Sequence, residues 1–307
     1  MTSANDLLEQ LQRDGAARFA ATDLATDHSR LTRRVRRDRA VRTSVLSVVT
    51  VAAAGAVAFA ATHQGSPQAP AGTPTTPVAT SEDPVAAASV SVAKQERIEA
   101  IAADLAAAYS VTREQAMAAI VDALPPEAGG NAEGWVIAGD YAFGASNDVR
   151  DAGAQLVSAQ VQQLQSFGVP RDRWLDTIIL ASILQQEAPA GPSDQAGVSR
   201  VILNRLSAGM PLDLESPLAY YLHADTQSIG DDGWAVETPY NTFVNEGLPP
   251  GAIGAPTQES LWSAVNPNTG DWLYFVRKPD GRTLLFSDFS SFAEAVDQYA
   301  PGTGASD

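Results

Sequence analysis

Residues 180–189 read L-A-S-I-L-Q-Q-E-A-P. They complete an apolar helical pattern that begins at Trp174 and contains the candidate catalytic acid of the chain. Glu187 follows Leu184 by three residues, so it lies on the same stripe as the apolar side chains. Pro189 ends the helix and leaves Glu187 in the last turn. Burial and the negative end of the helix dipole both disfavour a carboxylate there, so the pattern predicts a raised pKa. A general acid needs such a carboxyl near neutral pH, whereas the alternative is a solvated glutamate at a helix end.

The composition excludes several classes of site. Cysteine is absent from the 307 residues, so there is no disulfide, thiol nucleophile or cysteine metal site. Only His28, His63 and His223 occur, which argues against a histidine-rich metal centre or a Ser-His-Asp triad. No glycine-rich phosphate loop follows a strand and no Cys/His metal spacing appears, so neither a cofactor nor a metal is predicted. Residues 43–307 carry 11 basic and 30 acidic residues, which argues against nucleic acid as a partner.

The N-terminal region has the pattern of a membrane anchor. Seven arginines lie between positions 30 and 42, and residues 44–61 carry no charge at all. Eighteen uncharged residues reach the lower length limit of a membrane-spanning helix, and the preceding arginines favour a cytoplasmic N-terminus. We therefore predict a cytoplasmic basic tail over 1–42 and a single-pass anchor in the cytoplasmic membrane over 43–62. The alternative is a signal peptide cleaved at Ala58-Phe59-Ala60. Both interpretations place residues 62–307 outside the cytoplasm.

The rest of the chain divides by composition. Residues 63–93, rich in Pro, Thr and Ala, are predicted to be a linker. Residues 94–130 are predicted to form a small helical subdomain, in which Thr112 and Gln115 match a capping box. Residues 131–300 are predicted to form the main domain, and 301–307 a tail.

Within the main domain, strands and helices do not alternate regularly, which indicates a mixed α+β fold. Residues 133–143 are expected to be extended, and 210–217 to form a half-buried strand with Asp213 and Glu215 on one face. A hairpin is expected over 272–286. The expected helices cover 149–164 (capped by Asn147 or Asp148), 174–187, a segment capped by Ser193 or Asp194 and ending near Arg205, 257–265, and 291–299.

One acid on an apolar stripe, beside loops rich in Tyr, Asn and Pro (239–243 and 247–251), suits cleavage of a sugar polymer. The loop residues could equally serve turn formation alone. Asp213 and Glu215 could supply the second carboxylate of an ordinary glycosidase, or could simply face solvent. The pattern by itself leaves these alternatives open.

From Glu133 to Tyr299 the chain resembles the endolytic murein transglycosylase family of bacterial cell-wall enzymes. The matching stretches are E-G-W…G-D-Y-A-F (133–143), A-S-I-L-Q-Q-E (181–187), V-I-L-N-R-L (201–206), M-P-L (210–212), P-Y-N-T-F (239–243), G-L-P-P-G-A-I (247–253), A-P…S-L (255–261) and L-Y-F-V (273–276). Each stretch is short, but their joint order is specific.

The resemblance implies a function. Such enzymes cut peptidoglycan glycan strands between N-acetylmuramic acid and N-acetylglucosamine without water, and leave a 1,6-anhydro end. Glu187 falls on the catalytic glutamate, which acts first as general acid and then as base. Peptidoglycan synthases are implied as further partners. The positions implied to bind substrate are Asn204, Glu215, Tyr220, Tyr240, Asn241 and Thr242. Arg205 could line the same groove or tie a helix end to an acid.

The chain also departs from the family pattern. Glu215-Ser216-Pro217 stands where Asp-Pro-Thr is usual, and Phe292-Ala293 replaces a common Glu-His pair. The short helical segment 94–124 resembles a reduced form of the LysM-like subdomain of the family. Two alternatives stay open, and these departures weigh for the first of them. One is a catalytically silent cell-wall-binding or scaffold protein, and the other is a hydrolytic muramidase with Asp213 or Glu215 as its second acid.

Overall fold

The computed structural model describes residues 88–226, 229 and 231–299, which form a mixed α+β structure as expected. The tail and anchor (1–62), most of the linker and residues 301–307 lie outside the described residues. No helix in the described part of the chain has both the length and the apolar character needed to cross a bilayer. The elements are β1 (Ala88–Val92), α1 (Ile98–Tyr109), α2 (Arg113–Asp122), β2 (Gly139–Phe143), α3 (Val149–Ser166), α4 (Trp174–Glu187), α5 (Pro192–Ser207), α6 (Glu215–Tyr221), α7 (Gln258–Val265), β3 (Tyr274–Arg277), β4 (Thr283–Phe286) and α8 (Phe289–Tyr299).

The first four elements form a β-α-α-β unit. β1 pairs antiparallel with β2, from Ala88 opposite Phe143 to Val92 opposite Gly139. The linker prediction was therefore wrong for residues 88–92. The segment A-S-V-S-V alternates small polar and apolar residues, and it becomes a strand because Val90 and Val92 are buried in the core. The proposed boundary at residue 130 also falls inside this unit. The likeness to a LysM subdomain stays a prediction.

The capping box of α2 is confirmed. The Thr112 hydroxyl accepts a hydrogen bond from the Gln115 amide at 3.2 Å, and the Gln115 side chain accepts one from the Thr112 amide at 2.9 Å. Asp148, one of the two residues predicted to cap α3, caps that helix by accepting from the Arg150 and Asp151 amides. These local signals could be interpreted from sequence because both partners lie within three residues of each other.

Helix α4 is the centre of the molecule. Every residue from Thr177 to Gln185 is buried, which fits a helix that is apolar on nearly all sides. The segment before α7 runs beside α4: the Ile253 amide donates to the Ser182 hydroxyl at 3.1 Å, and the Thr257 hydroxyl donates to the Gln185 side chain at 2.8 Å. Helices α5, α6 and α7 all pack against α4. The end of α4 is thereby held in a fixed position.

Two local predictions after α4 are corrected. Helix α5 begins at Gly191-Pro192, and neither Ser193 nor Asp194 caps it. The Asp194 carboxylate instead accepts from the Thr283 amide of β4 at 2.6 Å. Residues 210–217 do not form a strand, because α6 begins at Glu215.

The C-terminal hairpin is confirmed, with β3 and β4 antiparallel from Tyr274 opposite Phe286 to Arg277 opposite Thr283. Helix α8 packs against β3. The Phe292 ring stacks on Tyr274 with ring centroids 5.1 Å apart. The position at which the family commonly has Glu-His is therefore used here for aromatic packing.

Candidate active site

Glu187 is the last residue of α4 and is half-buried. Burial raises the pKa of its carboxyl above the ordinary glutamate value, and the negative charge of Glu215 acts in the same direction. Hydrogen bonding from Ser216 and the positive charge of Arg277 lower the pKa, but burial is the largest effect. The raised pKa predicted for Glu187 is therefore confirmed. The carboxyl keeps its proton at a higher pH than an exposed glutamate does.

Ser216 is the direct partner of Glu187. Its hydroxyl donates a hydrogen bond of 2.6 Å to Oε1 of Glu187. Ser216 lies in the first turn of α6, and α6 packs against α4, so the contact joins the start of one helix to the end of the other. Sequence reasoning missed this residue. The signal was its place in Glu215-Ser216-Pro217, the segment in which the chain departs from the family pattern.

The two acids proposed as a pair lie in different surroundings. Asp213 has a backbone φ of 53°, and its carboxylate pairs with Arg205 at 3.1 Å. Glu215 lies in the first turn of α6, close enough to raise the pKa of Glu187. The expectation that both acids share one face of a strand was wrong. Glu215 is thus the acid of this pair whose charge acts on Glu187.

Arg205 ties the end of α5 to Asp213. This is the structural one of the two roles predicted for it. Its guanidinium donates to the Leu273 carbonyl at 2.7 Å, to the carbonyls of Pro211 and Leu212 at 3.0 Å each, and to Asp213. Arg205 is only 7% exposed and lies over the Tyr274 ring. Its role in the structure is to hold the segment that leads into α6.

Three residues implied to bind substrate are instead buried and hydrogen-bonded to the main chain. The Asn204 amide donates to the carbonyls of Gly270 and Trp272. The Asn241 amide donates to those of Trp234 and Val236, and the Thr242 hydroxyl both accepts from the Leu214 amide and donates to its carbonyl. These contacts fix loops around the site and do not support direct contact of Asn204, Asn241 or Thr242 with glycan.

Tyr220 and Tyr240 lie together, with ring centroids 5.5 Å apart. Tyr240 also stacks on Tyr221, which is 47% exposed. Burial raises the pKa of Tyr220 and Tyr240, so both hydroxyls remain protonated near neutral pH. The Tyr220 hydroxyl donates a hydrogen bond to Glu133 at 2.9 Å, so its proton is already engaged within the protein. Tyr221 presents the most accessible aromatic surface of the three.

Glu133 is a second acid with a strongly shifted pKa, and sequence reasoning missed it. It is 2% exposed, and burial raises its pKa to about 7. Oε2 accepts from Tyr220, while Oε1 has no hydrogen-bond partner among the described residues. The next residue, Gly134, has a φ of 79°, and a Cβ added there would lie 2.7 Å from the Ile178 side chain. The turn carrying Glu133 is thus pressed closely against α4.

The arrangement at Glu187 suits transfer of a proton in both directions. Burial favours the neutral acid, which can donate a proton. The Ser216 hydrogen bond and the charge of Arg277 stabilise the carboxylate, which can accept one. A single carboxyl with these opposing influences can act as acid and then as base.

Comparisons with known proteins agree with this architecture. The model of the YceG-like family matches residues 9–298. The chain is 25% identical over 175 residues to a protein of Bacillus subtilis strain 168 named endolytic murein transglycosylase, covering 54% of this chain and 48% of that one. It is 26% identical over 169 residues to a Streptococcus pneumoniae protein of the same name, covering 51% of this chain and 30% of that one. The chain thus spans about half, or less, of the length of these relatives.

A solved structure shows the same fold. The crystal structure of a yceG-like protein from Listeria monocytogenes matches 69% of this chain and 76% of its own, with a TM-score of 0.56 and 20% sequence identity. The family match covers nearly the whole sequence, including the segments that position Glu187 and Ser216. The chain therefore belongs to the YceG-like family.

Proposed function

We propose that this chain is an endolytic lytic transglycosylase of nascent peptidoglycan. It cleaves the bond between N-acetylmuramic acid and N-acetylglucosamine within glycan strands and leaves 1,6-anhydro ends. Residues 44–61 anchor it in the cytoplasmic membrane, with the N-terminus in the cytoplasm and the catalytic part outside. The names of the Bacillus and Streptococcus relatives support the reaction, and the uncharged segment after seven arginines supports the anchor.

Glu187 carries both proton transfers of the proposed mechanism. The neutral carboxyl donates its proton to the glycosidic oxygen, which leaves as the hydroxyl of the N-acetylglucosamine fragment. The muramyl 6-hydroxyl then bonds to the anomeric carbon and gives its proton to the Glu187 carboxylate. The acid is thus regenerated, and no water is consumed. The observation that carries this proposal is the half-buried Glu187 with a raised pKa and a direct Ser216 donor.

A hydrolytic muramidase is the second candidate, because Glu215 lies close enough to Glu187 to raise its pKa. A hydrolase needs a second carboxylate, as nucleophile or as base for water, and Glu215 would fill that role. The hydrolase is less well supported, because the Bacillus and Streptococcus relatives are named transglycosylases.

Product chemistry separates the candidates. Uncrosslinked peptidoglycan glycan is digested with the full-length chain, and the fragments are identified by mass spectrometry. Anhydro-muramyl ends are expected. Reducing ends would identify a hydrolase and make Glu215 the next residue to substitute. Glycan binding without cleavage would show a silent binding or scaffold protein and would overturn the proposal.

A further inference from the structure

Helix α6 supplies the donor to Glu187, so its position matters for the proposed chemistry. Its N-terminal end is fixed by Thr242, whose hydroxyl accepts from the Leu214 amide at 2.9 Å. Its first turn contacts Glu187 through Ser216. The helix has only seven residues, and a helix that short has little stability of its own. Its orientation therefore depends on packing against α4 and on side chains that hold its ends.

Two residues hold the C-terminal end of α6. Arg97 lies directly before α1, and Glu133 lies in the turn before β2. The Arg97 guanidinium donates to the Tyr220 carbonyl at 2.7 Å and lies 4.3 Å from the centre of the Tyr220 ring. Its other terminal nitrogen lies 2.7 Å from Nδ1 of His223, which must accept because arginine only donates. A cation at the C-terminal end of a helix is favourable for the helix dipole.

Glu133 is the second residue that fixes the C-terminal end of α6. Oε2 accepts from the Tyr220 hydroxyl at 2.9 Å and lies 3.4 Å from the Ile98 amide at the start of α1. Glu133 is 98% removed from solvent, so this contact is not in competition with water. One carboxyl thus joins the first residue of α1 to the last turn of α6.

Ser216 and Tyr220 are four residues apart on α6 and therefore lie on one face of the helix. One end of this face contacts Glu187, and the other contacts Glu133. We propose that Glu133 is a positioning residue: by holding the Tyr220 hydroxyl it orients α6 and so places the Ser216 hydroxyl on Glu187. This inference rests on the proposed function, in which Glu187 is the proton donor and acceptor.

The test uses the full-length chain with isotope-labelled glutamate. The pKa of Glu187 is read by NMR, and the spectrum of Glu187→Gln identifies the signal. Ser216→Ala should raise that pKa, because the serine donor lowers it. Tyr220→Phe, which keeps the ring over Arg97 but releases Glu133, should raise it in the same direction. In the double variant the two effects should not add, because both act through one hydrogen bond.

The matched control is Tyr141→Phe. It also removes a buried tyrosine hydroxyl, here one that donates to the Ile137 carbonyl at 2.7 Å, far along the chain from α6. A general loss of rigidity would move the pKa of Glu187 in both variants. We expect the pKa of Glu187 to shift in Tyr220→Phe and to stay unchanged in Tyr141→Phe.

Turnover supplies a second readout. Tyr220→Phe should lower kcat about tenfold, the loss expected from one well-placed hydrogen bond, and should change KM little. Glu133→Gln keeps an acceptor for the Tyr220 hydroxyl and should retain most of kcat. Glu133→Leu has no acceptor for the Tyr220 hydroxyl and should lower kcat as Tyr220→Phe does. A Tyr220→Phe variant with unchanged Glu187 pKa and unchanged kcat would overturn the inference.

The two proposals fail in different ways. If the wild-type chain gives no anhydro ends, the proposed function is wrong, whatever the NMR titration shows. If the wild type gives anhydro ends but Ser216→Ala and Tyr220→Phe have additive or unrelated effects on the pKa of Glu187, only the positioning role of Glu133 is wrong.

Discussion

The Ser216 hydroxyl lies 2.6 Å from Oε1 of Glu187 and donates a hydrogen bond to it. The contact opposes the effect of burial, because a donor favours the carboxylate whereas burial favours the neutral acid. A residue that must give a proton and then recover one benefits from this balance. The segment in which the chain departs from its family pattern thus supplies a partner for the candidate catalytic acid.

Ser216→Ala should move the alkaline limb of the pH–activity profile to higher pH. Activity falls with rising pH as the general acid loses its proton, and loss of the donor raises the pKa of Glu187 further. A hydrogen bond to a charged group has the strength to move this limb by about one pH unit. The measurement is kcat against pH for the wild type and the variant.

Ser91→Ala is the control for that experiment. The Ser91 hydroxyl also donates to a carboxylate, that of Asp140 at 2.7 Å, but on the exposed strand β1. Its pH profile should match the wild type. An unchanged profile in Ser216→Ala would show that the serine does not tune Glu187.

Glu133 should make the protein less stable as pH rises from about 4.5 to about 7. The folded carboxyl keeps its proton up to a pKa of about 7, whereas the unfolded chain releases it near 4.5. The unfolded state therefore binds fewer protons in this window, and the free energy of unfolding falls by on the order of 3 kcal/mol. Glu133→Gln removes the part of this dependence that is due to Glu133, whereas Glu187, whose pKa is also raised by burial, keeps its own part. Denaturant unfolding of both proteins at pH 5 and pH 8 measures it.

The groups around Glu133 set the direction of this effect. Burial is the largest, the charge of Glu99 adds to it, and the Tyr220 hydroxyl and Arg97 oppose it. Glu127→Gln is a control, because Arg171 holds the pKa of Glu127 below its ordinary value. Its stabilising effect is lost only at more acid pH, so the variant should follow the wild type between pH 5 and pH 8.

Arg205→Lys should destabilise the fold by about 2–4 kcal/mol, because lysine keeps the charge but cannot reproduce the forked contacts to buried carbonyls and Asp213. The free energy of unfolding by denaturant measures this. Arg173→Lys changes an exposed pair with Asp176 and should cost less than about 0.5 kcal/mol. Equal losses in the two variants would contradict the structural role of Arg205.

Strand β1 should tolerate charge on one face only. Val90 is 4% exposed, so Val90→Asp should cost about 3 kcal/mol through burial of a carboxyl. Ser89→Asp, one residue earlier on the exposed face, should change stability by less than about 0.5 kcal/mol. Thermal unfolding of both variants tests this. If Val90→Asp were harmless, residues 88–92 would belong to the linker after all.

Much of the fold could be predicted from local patterns. The helix that ends at Glu187, the caps at Thr112 and Asp148, and the hairpin near residue 280 each depend on residues close in sequence. β1 was missed because its partner lies about fifty residues later, and a five-residue strand of serine and valine has no strong local signal. Residues 210–217 were misassigned because the Thr242 contact that shapes them is also distant in sequence.

The site residues also divide into those that local sequence could predict and those that it could not. Helix periodicity and Pro189 predicted that Glu187 lies in the last turn of the helix, but the pattern left a solvated glutamate as an alternative, and the catalytic role came from the family resemblance. Burial of Asn241 and Thr242 could not be predicted, because polar residues in loops are usually exposed. Glu133 and Ser216 acquire their roles through tertiary contacts to Tyr220 and Glu187, and nothing in their local sequence reveals those partners.

We propose that Glu187 cleaves glycan without water. The most direct test is mass spectrometry of fragments from uncrosslinked glycan after digestion with the full-length chain, with Glu187→Gln and Glu127→Gln beside the wild type. We expect anhydro-muramyl ends from the wild type and from Glu127→Gln, and none from Glu187→Gln. Anhydro ends that persist in Glu187→Gln, or reducing ends from the wild type, would contradict it.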